Sequence, residues 1–243
     1  MVAVNTRRMG VAASTWVSVE PALQARGLTR TLRSGDTETS GLQDVSIAVH
    51  PCELVVVTGS SPSALSTLLS CVAGSEQPDA GTVWVGGIRL SGQSEQVRAR
   101  LRARWIGVVP TSGNLCGHLT VAQNVQLAPI MIAGRRPPDT MDVLTRLGIA
   151  HRFYAYPAQL SPGERARAGL AVALANDPAV LLADDPTHEL DEATEGALFD
   201  ELLEHARQGK AVLVAGDRAS VAAPADRALV LDNCRLSERD QLR

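Results

Sequence analysis

A short segment of small and hydroxyl side chains carries the most recognisable chemistry in this sequence. It follows the β-branched run Leu54–Thr58 and precedes a helical stretch, Leu68–Ala73. A loop between a strand and a helix N-terminus can direct backbone N–H groups and the positive end of the helix dipole at a phosphate. The predicted phosphate-binding segment consists of Gly59, Ser60, Ser61, Pro62, Ser63, Ala64, Leu65, Ser66 and Thr67.

The segment matches only part of the phosphate-loop pattern G-x-x-x-x-G-K-[ST]. Gly59 and Ser66 agree with the pattern. Ala64 and Leu65 stand where it has glycine and lysine. Taken alone, the segment favours an ordinary strand-to-helix turn.

Unbroken apolar runs recur along the chain, a pattern typical of strands buried on both faces of a parallel sheet. Helical spacing separates the later runs, over Gly163–Ala175 and Ala193–Arg207. Strands that alternate with helices imply right-handed crossovers and an α/β fold. The predicted strands are Leu54–Thr58, Ile106–Val109, Ala179–Ala183, Ala211–Ala215 and Ala228–Leu231.

The pattern changes along the chain and predicts three parts. Residues 1–20 have no clear period and are predicted to form an N-terminal extension. Residues 21–110 and 176–243 are predicted to form the core, which starts with a strand–turn–strand region. Residues 111–175 are mostly helical in pattern and are predicted to form a helical subdomain.

Composition excludes several classes of function. The 243 residues carry a net charge of −3, and only 3% are aromatic. Neutralising nucleic-acid phosphates needs basic surfaces, and base stacking needs aromatic side chains, so we expect no nucleic-acid partner. Apolar runs are too short for a membrane span, and no secretory signal is evident, so we expect an intracellular protein. Four scattered cysteines, without a Cys-x-x-Cys pair, disfavour a zinc site.

Four further segments are informative because of their order. Leu160-Ser161-Pro162-Gly163-Glu164 begins a predicted helix. Leu181–Thr187 ends a predicted strand with two aspartates and is followed by Leu190-Asp191. These segments resemble the LSGGQ signature, the Walker B strand and the D-loop of ATP-binding-cassette (ABC) ATPases, and Ile106–Val125 resembles their Q-loop region. The resemblance spans about residues 20–235 and is greatest to the lipoprotein-release and macrolide-export branch.

The resemblance implies a P-loop NTPase fold of the ABC ATPase type. Its central sheet is expected to be mostly parallel, beside an N-terminal antiparallel β region and a helical subdomain that ends in the signature. ATP and Mg²⁺ are the implied cofactors, with Ser161 and Gly163 in contact with ATP. Ser66 and Asp184 are the implied magnesium ligands, since Mg²⁺ prefers oxygen donors. Asp185 stands at the catalytic glutamate position and is shorter by one methylene.

Departures from the family pattern concentrate on the ATP site. The family lysine contacts the β- and γ-phosphates, whereas Leu65 cannot donate a hydrogen bond, a loss that typically costs about 1.5–3 kcal/mol. Pro62 removes a backbone donor where glycine is common. Thr111 aligns with the Q-loop glutamine, Gly216 with the switch histidine and Leu32 with the A-loop aromatic residue. We therefore predict that hydrolysis at this site is inefficient.

ABC nucleotide-binding domains work in pairs, and each ATP site joins the P-loop of one subunit to the signature of the other. Here the P-loop half is eroded, while Ser161 and Gly163 are retained. The sequence therefore predicts a degenerate subunit that pairs with an intact ATP-binding subunit and helps to drive a membrane permease, with export favoured. We expect it to be cytoplasmic and peripheral on the inner face of the membrane, held there by the permease.

Alternative interpretations remain open. The chain could be a self-sufficient homodimeric ATPase with weak hydrolysis, using Asp185 and His188. It could also be a non-hydrolysing adaptor that docks on a permease around Thr111 and the helical insert. At the signature, Ser161 and Pro162 also form a good helix start, and both roles are compatible. The arginines in the segment 98–104 are interpreted as a solvated face.

Overall fold

Two sheets of different construction organise the chain. The computed structural model describes residues 20–34, 37–111, 114–130, 139–187, 190–216 and 225–238. Along the chain the elements are β1 (Leu23–Ser34), β2 (Thr37–Val49), β3 (Glu53–Gly59), α1 (Pro62–Ala73), β4 (Ala80–Val85), β5 (Ile88–Arg89), α2 (Glu95–Trp105), β6 (Ile106–Val109), α3 (Val121–Ile130), α4 (Thr140–Arg146), α5 (Pro162–Leu174), β7 (Val180–Asp184), α6 (Glu192–Arg207), β8 (Ala211–Gly216), β9 (Arg227–Asp232) and β10 (Arg235–Glu238).

The larger sheet has six strands in the order β10-β9-β3-β8-β7-β6. Five neighbouring strands run parallel to one another: β9, β3, β8, β7 and β6. At one edge, β10 pairs antiparallel with β9. All six residues of β8 are buried, as expected for a strand covered on both faces. The predicted mostly parallel central sheet is confirmed.

The smaller sheet is antiparallel and has the order β2-β1-β4-β5, which confirms the predicted N-terminal β region. One close approach within it requires glycine. Gly81 has φ +94°, and a Cβ there would lie 2.4 Å from the Gly27 carbonyl oxygen. The position therefore tolerates no side chain.

Side chains of β3 alternate between two apolar clusters and thereby define the layers. Val55 and Val57 belong to the cluster that includes α1 and the antiparallel sheet. Leu54 and Val56 belong to the cluster that includes α5 and α6. The parallel sheet is therefore the central layer, with α1 and the antiparallel sheet on one face and α5 and α6 on the other.

Helices α3 and α4 occupy the stretch between β6 and α5 that is predicted to be a helical subdomain. Its boundaries at residues 111 and 175 stay predictions. Asn124 of α3 is buried and organises the preceding loop. Its side chain accepts from the Cys116 N–H at 2.7 Å and donates to the carbonyls of Cys116, Leu119 and Thr120 at 3.0–3.2 Å.

Helix α2 was not predicted, and the solvated-face interpretation of its arginines is wrong for Arg98. This side chain is buried and pairs with Glu95, which also binds Arg102 at 2.7 Å. The alternating arginines concealed a helix because its apolar positions are few. Over the residues described, no helix has both the length and the apolar content of a bilayer-spanning segment. The predicted extension, residues 1–20, lies outside the described residues except for Glu20.

Replacing Asn124 with alanine is expected to lower the free energy of unfolding by about 1–3 kcal/mol, because buried backbone groups of the loop lose their partner. Urea unfolding followed by circular dichroism measures the loss. Gln126→Ala, an exposed amide on the same helix, is the matched control and should change the free energy by less than about 0.5 kcal/mol. Equal effects of the two substitutions would contradict the assigned role of Asn124.

Candidate functional site

Helix α1 begins inside the predicted phosphate-binding segment. We predicted helical structure only from Leu68, but α1 starts at Pro62 with Ser61 as its N-cap. The Ser61 side chain accepts a hydrogen bond from the Ala64 N–H at 3.4 Å. Serine at the N-cap and proline at the first helical position are both favoured at helix starts. Pro62, Ser63, Ala64, Leu65, Ser66 and Thr67 are therefore helical, so the predicted helix start at Leu68 is wrong. The predicted role of the segment in binding phosphate stays a prediction.

Backbone donors of the segment are engaged within its own first helical turn. The N–H groups of Ala64 and Leu65 both donate to the Ser61 carbonyl, at 3.1 and 3.2 Å. The Thr67 hydroxyl donates to the Ser63 carbonyl at 2.6 Å. A phosphate loop needs such N–H groups to converge on the anion. In this chain they are already committed to the helix.

Leu65 lies in the core rather than at the surface of the segment. Only 2% of it is exposed, and it belongs to the apolar cluster that also contains Leu28 and Val57. Gly59 likewise has a packing role, since a Cβ there would lie 2.6 Å from the Leu231 carbonyl oxygen on the neighbouring strand. Ser60 and Ser61 are exposed. The segment thus packs as a tight strand-to-helix turn.

The two predicted magnesium ligands are brought together. The Ser66 hydroxyl donates to Asp184 Oδ2 at 2.7 Å, although the two residues are 118 positions apart in the sequence. A hydroxyl and a carboxylate are hard oxygen donors, so this pair fits Mg²⁺, which keeps several waters of its own. Within the described ranges, no group of three or more histidine, cysteine or acidic side chains is placed to hold a metal ion. The donor set is therefore small.

Asp185 lies at the end of β7 in a left-handed backbone conformation, with φ +44°. Its N–H donates to the Ala215 carbonyl of β8 at 2.7 Å. The next residue of β8, Gly216, has no side chain to act beside this carboxylate. Thr111 is exposed after β6, and Leu32 is half-buried in β1. His188, the other candidate base, lies outside the described residues.

The signature segment starts α5 and is exposed. Ser161 caps the helix, and its hydroxyl accepts from the Glu164 N–H at 3.3 Å while Glu164 Oε2 accepts from the Ser161 N–H at 2.9 Å. This reciprocal pair is a capping box. Gly163 permits close packing of α6, because a Cβ there would lie 2.6 Å from Thr194 Cγ2. The N-terminus of α5 therefore presents its positive dipole end to the surroundings.

Two side chains that the sequence does not point to, those of Arg152 and His151, contact Glu164 of the signature segment. Arg152 Nε donates to Glu164 Oε1 at 2.7 Å, and His151 Nε2 lies 3.2 Å from the same oxygen. The hydrogen bond from Arg152, followed by that from the Ser161 backbone, lowers the pKa of Glu164 to about 2. Residues 150–152 form a short 3-10 turn. No local sequence pattern indicates that this turn lies beside α5.

The two halves of the site share an exposed, serine-capped helix start. They differ at position 65, where the leucine that stands at the lysine position is buried in the core. This arrangement is suited to binding an anion at the signature segment. It is poorly suited to binding a polyphosphate at the predicted phosphate-binding segment of the same chain.

Replacing Leu65 with lysine is expected to destabilise the fold by at least the roughly 2–5 kcal/mol that Leu→Ala costs in a core, because an ammonium would be buried without a partner. Chemical denaturation measures this. Leu65→Met conserves apolar volume and should cost less than about 1.5 kcal/mol. An unchanged denaturation midpoint for Leu65→Lys would mean that the side chain reaches solvent, contrary to the buried position of Leu65.

Acid should lower the free energy of unfolding because it protonates Glu164. Its pKa in the folded state, about 2, lies below the roughly 4.3 of an unperturbed glutamate. The carboxylate therefore stabilises the fold above about pH 4.5, and this contribution is lost as the pH falls toward 2. Arg152→Ala should make the free energy of unfolding less dependent on pH between 5 and 3.

The control for this acid experiment is Arg207→Ala, since Arg207 is exposed and only approaches Glu204, at 3.9 Å. That variant should keep the pH dependence of the parent protein. An unchanged pH dependence for Arg152→Ala would contradict the ion pair with Glu164.

Comparison with known proteins agrees with this geometry. Residues 42–188 match the family described as ABC transporter. The chain is 39% identical over 220 residues to the lipoprotein-releasing system ATP-binding protein LolD of Gluconobacter oxydans, covering 88% of this chain and 95% of that relative. It is 35% identical over 222 residues to the uncharacterized ABC transporter ATP-binding protein Rv0986 of Mycobacterium tuberculosis, covering 89% of each.

Solved structures show the same fold. The bacterial ABC transporter cassette MJ0796, solved as a dimer, has a TM-score of 0.80 and 28% identity, covering 91% of this chain and 99% of that one. The same cassette in a post-hydrolysis state bound to ADP and Pi matches equally well. The expected α/β fold of the ABC ATPase type is confirmed. The chain belongs to the ABC transporter family, as one of its ATP-binding cassettes.

Proposed function

We propose that this chain is the degenerate nucleotide-binding subunit of a heteromeric ABC transporter. It contributes the signature segment to an ATP site whose phosphate loop comes from a second, intact subunit, and its own phosphate-binding segment is hydrolytically impaired. The observation that carries the proposal is the contrast between Leu65, buried in the core, and Ser161, exposed at the N-terminus of α5.

The signature half retains what an anion site requires. The exposed end of α5 carries the partial positive charge of a helix N-terminus. The capping box and the pairing of Glu164 with Arg152 fix its orientation. When ATP is bound there, it supplies the polyphosphate and the phosphoryl group, and the Ser161 hydroxyl and the Gly163 backbone are the contacts that this chain provides. Its role in hydrolysis is to orient and stabilise phosphate charge.

The phosphate-binding half supports at most weak nucleotide binding. Ser66 and Asp184 would hold Mg²⁺ with ATP, but no ammonium faces the phosphates because position 65 is a buried leucine. Asp185 retains a carboxylate at the family's catalytic position, displaced by one methylene. Misplacement of a catalytic group by about 1 Å can cost on the order of 100-fold in rate. These features together favour a structural role for this half.

A surface near α3 is suited to docking on a membrane permease. Tyr154 is 81% exposed, and Tyr156 and Leu127 are about half exposed. The segment that carries the tyrosines is fixed to the start of α3, since the Val121 N–H donates to the Ala155 carbonyl at 2.9 Å. Exposed aromatic groups of this kind are enriched at protein interfaces. Docking there would place the chain on the cytoplasmic face of the membrane.

Export is the proposed direction of transport. Several relatives carry the name lipoprotein-releasing system ATP-binding protein, among them proteins of Gluconobacter oxydans and Caulobacter vibrioides. In this proposal the permease selects the transported substrate. Neither half of the ATP site therefore indicates the identity of that substrate.

The test of the composite site uses co-expression with an intact ABC ATP-binding partner. Ser161→Asp in this chain keeps a good N-cap but places a negative charge against the polyphosphate, so ATP turnover of the pair should fall at least about tenfold. Ser161→Asn keeps the cap without the charge and is the matched control. Asp185→Asn should leave turnover within about twofold.

Other outcomes would decide against the proposal. Vigorous turnover by the purified chain alone, lost in Asp185→Asn, would identify a self-sufficient homodimeric ATPase. Turnover of the pair that is insensitive to Ser161→Asp would identify an adaptor that contributes nothing to the ATP site. The burial of Leu65 favours the adaptor as the second candidate, because it leaves no ammonium to bind nucleotide at this chain's own segment.

A further inference from the structure

A cavity of about 260 Å³ opens at the far end of α5 from the signature. It lies between α4 of the helical region and the C-terminal ends of α5 and α6, so its walls come from both sides of the seam between that region and the core. The cavity is smaller than the roughly 300–1,000 Å³ of typical drug-sized ligand sites. Its lining residues are Asp142, Val143, Arg146, Leu174, Asp177, His205 and Gln208.

The inner wall of the cavity carries a buried polar group with an unmet hydrogen bond. His205 is 94% buried, and its Nε2 has no partner among the described residues. Buried polar atoms in proteins nearly always have a partner. Burial, with smaller effects of Lys210 and Arg146, lowers the pKa of His205 to about 4. The ring is therefore neutral at pH 7 and offers a hydrogen bond rather than a charge.

Opposite charges stand on the exposed rim. Arg146 and Asp142 are exposed, and the charge of Arg146 also reaches Glu201, where it partly offsets the rise in the Glu201 pKa that burial causes. Asp177, by contrast, is neutralised by Lys210 at 2.7 Å. Helices α5 and α6 both end at the cavity, and the partial negative charge of helix C-termini favours a cation. One guanidinium, two carboxylates, of which Asp177 is paired with Lys210, and two negative helix ends therefore face the same small space.

We propose that this cavity binds a small zwitterion of the α-amino acid class. The ligand carboxylate pairs with Arg146, since guanidinium and carboxylate groups match geometrically. The ligand ammonium faces Asp142 and the helix ends, and its side chain packs on Val143 and Leu174. A nucleotide is excluded by the size of the cavity and by its carboxylates. The site is separate from the ATP-binding role proposed above.

Binding would tie α4 to the end of α6 and so stabilise the seam between the helical region and the core. A ligand that binds only the folded state raises the free energy of unfolding by an amount that grows with the logarithm of the ligand concentration once this exceeds the Kd. The site would thereby couple the supply of an amino acid to the relative position of the signature helix, because α5 runs from this cavity to Ser161.

In the experiment, L-leucine or L-glutamine is added to the purified full chain without nucleotide or partner. Binding is followed by the heat of titration or by the rise in the thermal unfolding midpoint. The matched probes are 4-methylpentanoate, which lacks the ammonium, and 3-methylbutylamine, which lacks the carboxylate. At least one amino acid should bind saturably and at least about tenfold more tightly than either probe. Arg146→Ala should weaken that binding at least about tenfold.

Arg207→Ala, an exposed arginine at the end of α6, is the matched control and should leave binding unchanged. The absence of saturable binding up to about 10 mM for both amino acids would overturn the proposal. So would equal binding by the carboxylate-only probe, or equal binding by Arg146→Ala in a sample whose circular dichroism is unchanged. None of these results depends on ATP, so this proposal and the composite-site proposal stand or fall separately.

Discussion

The burial of one aliphatic side chain constrains the predicted phosphate-binding segment of this cassette. Leu65 occupies the position at which the family carries a lysine, and it packs with the central sheet and the antiparallel sheet instead of facing the phosphates. That packing is possible because α1 starts at Pro62, within the segment that would otherwise form a loop. Core packing and anion binding compete for the same residues here, and core packing prevails.

The signature half combines a capped helix start with exposure to solvent. Its Ser-Pro pair also starts a helix, and that helix start is supported by an ion pair between Glu164 and Arg152. The same local chemistry thus begins both helices at an exposed serine, but α1 buries Leu65 one turn later. The difference lies in what surrounds each helix start. The proposed pairing with an intact subunit rests on this asymmetry between the two halves of the site.

Much of the fold could be predicted from the sequence, whereas much of the site could not. Unbroken apolar runs such as Leu54–Thr58 mark strands covered on both faces, and the observed strands agree. Ser61-Pro62 has the same capping chemistry as Ser161-Pro162 and starts α1 six residues before the predicted helix. The similarity of this segment to a phosphate loop conceals that helix start in the sequence. The contacts of Glu164 with Arg152 and of Ser66 with Asp184 join distant parts of the chain, and no local pattern encodes such distances.

The early start of α1 has a consequence for redesign. A glycine-rich phosphate loop could be introduced only by changing several features together: the Ser61 cap, the ring of Pro62, the Cβ of Ala64 and the anchoring of Leu65. A lysine introduced alone would enter a packed interior, and a glycine introduced alone would lie inside a helix that it destabilises. Each single replacement is disfavoured while the others persist, so a redesign of this turn has to replace all four residues at once.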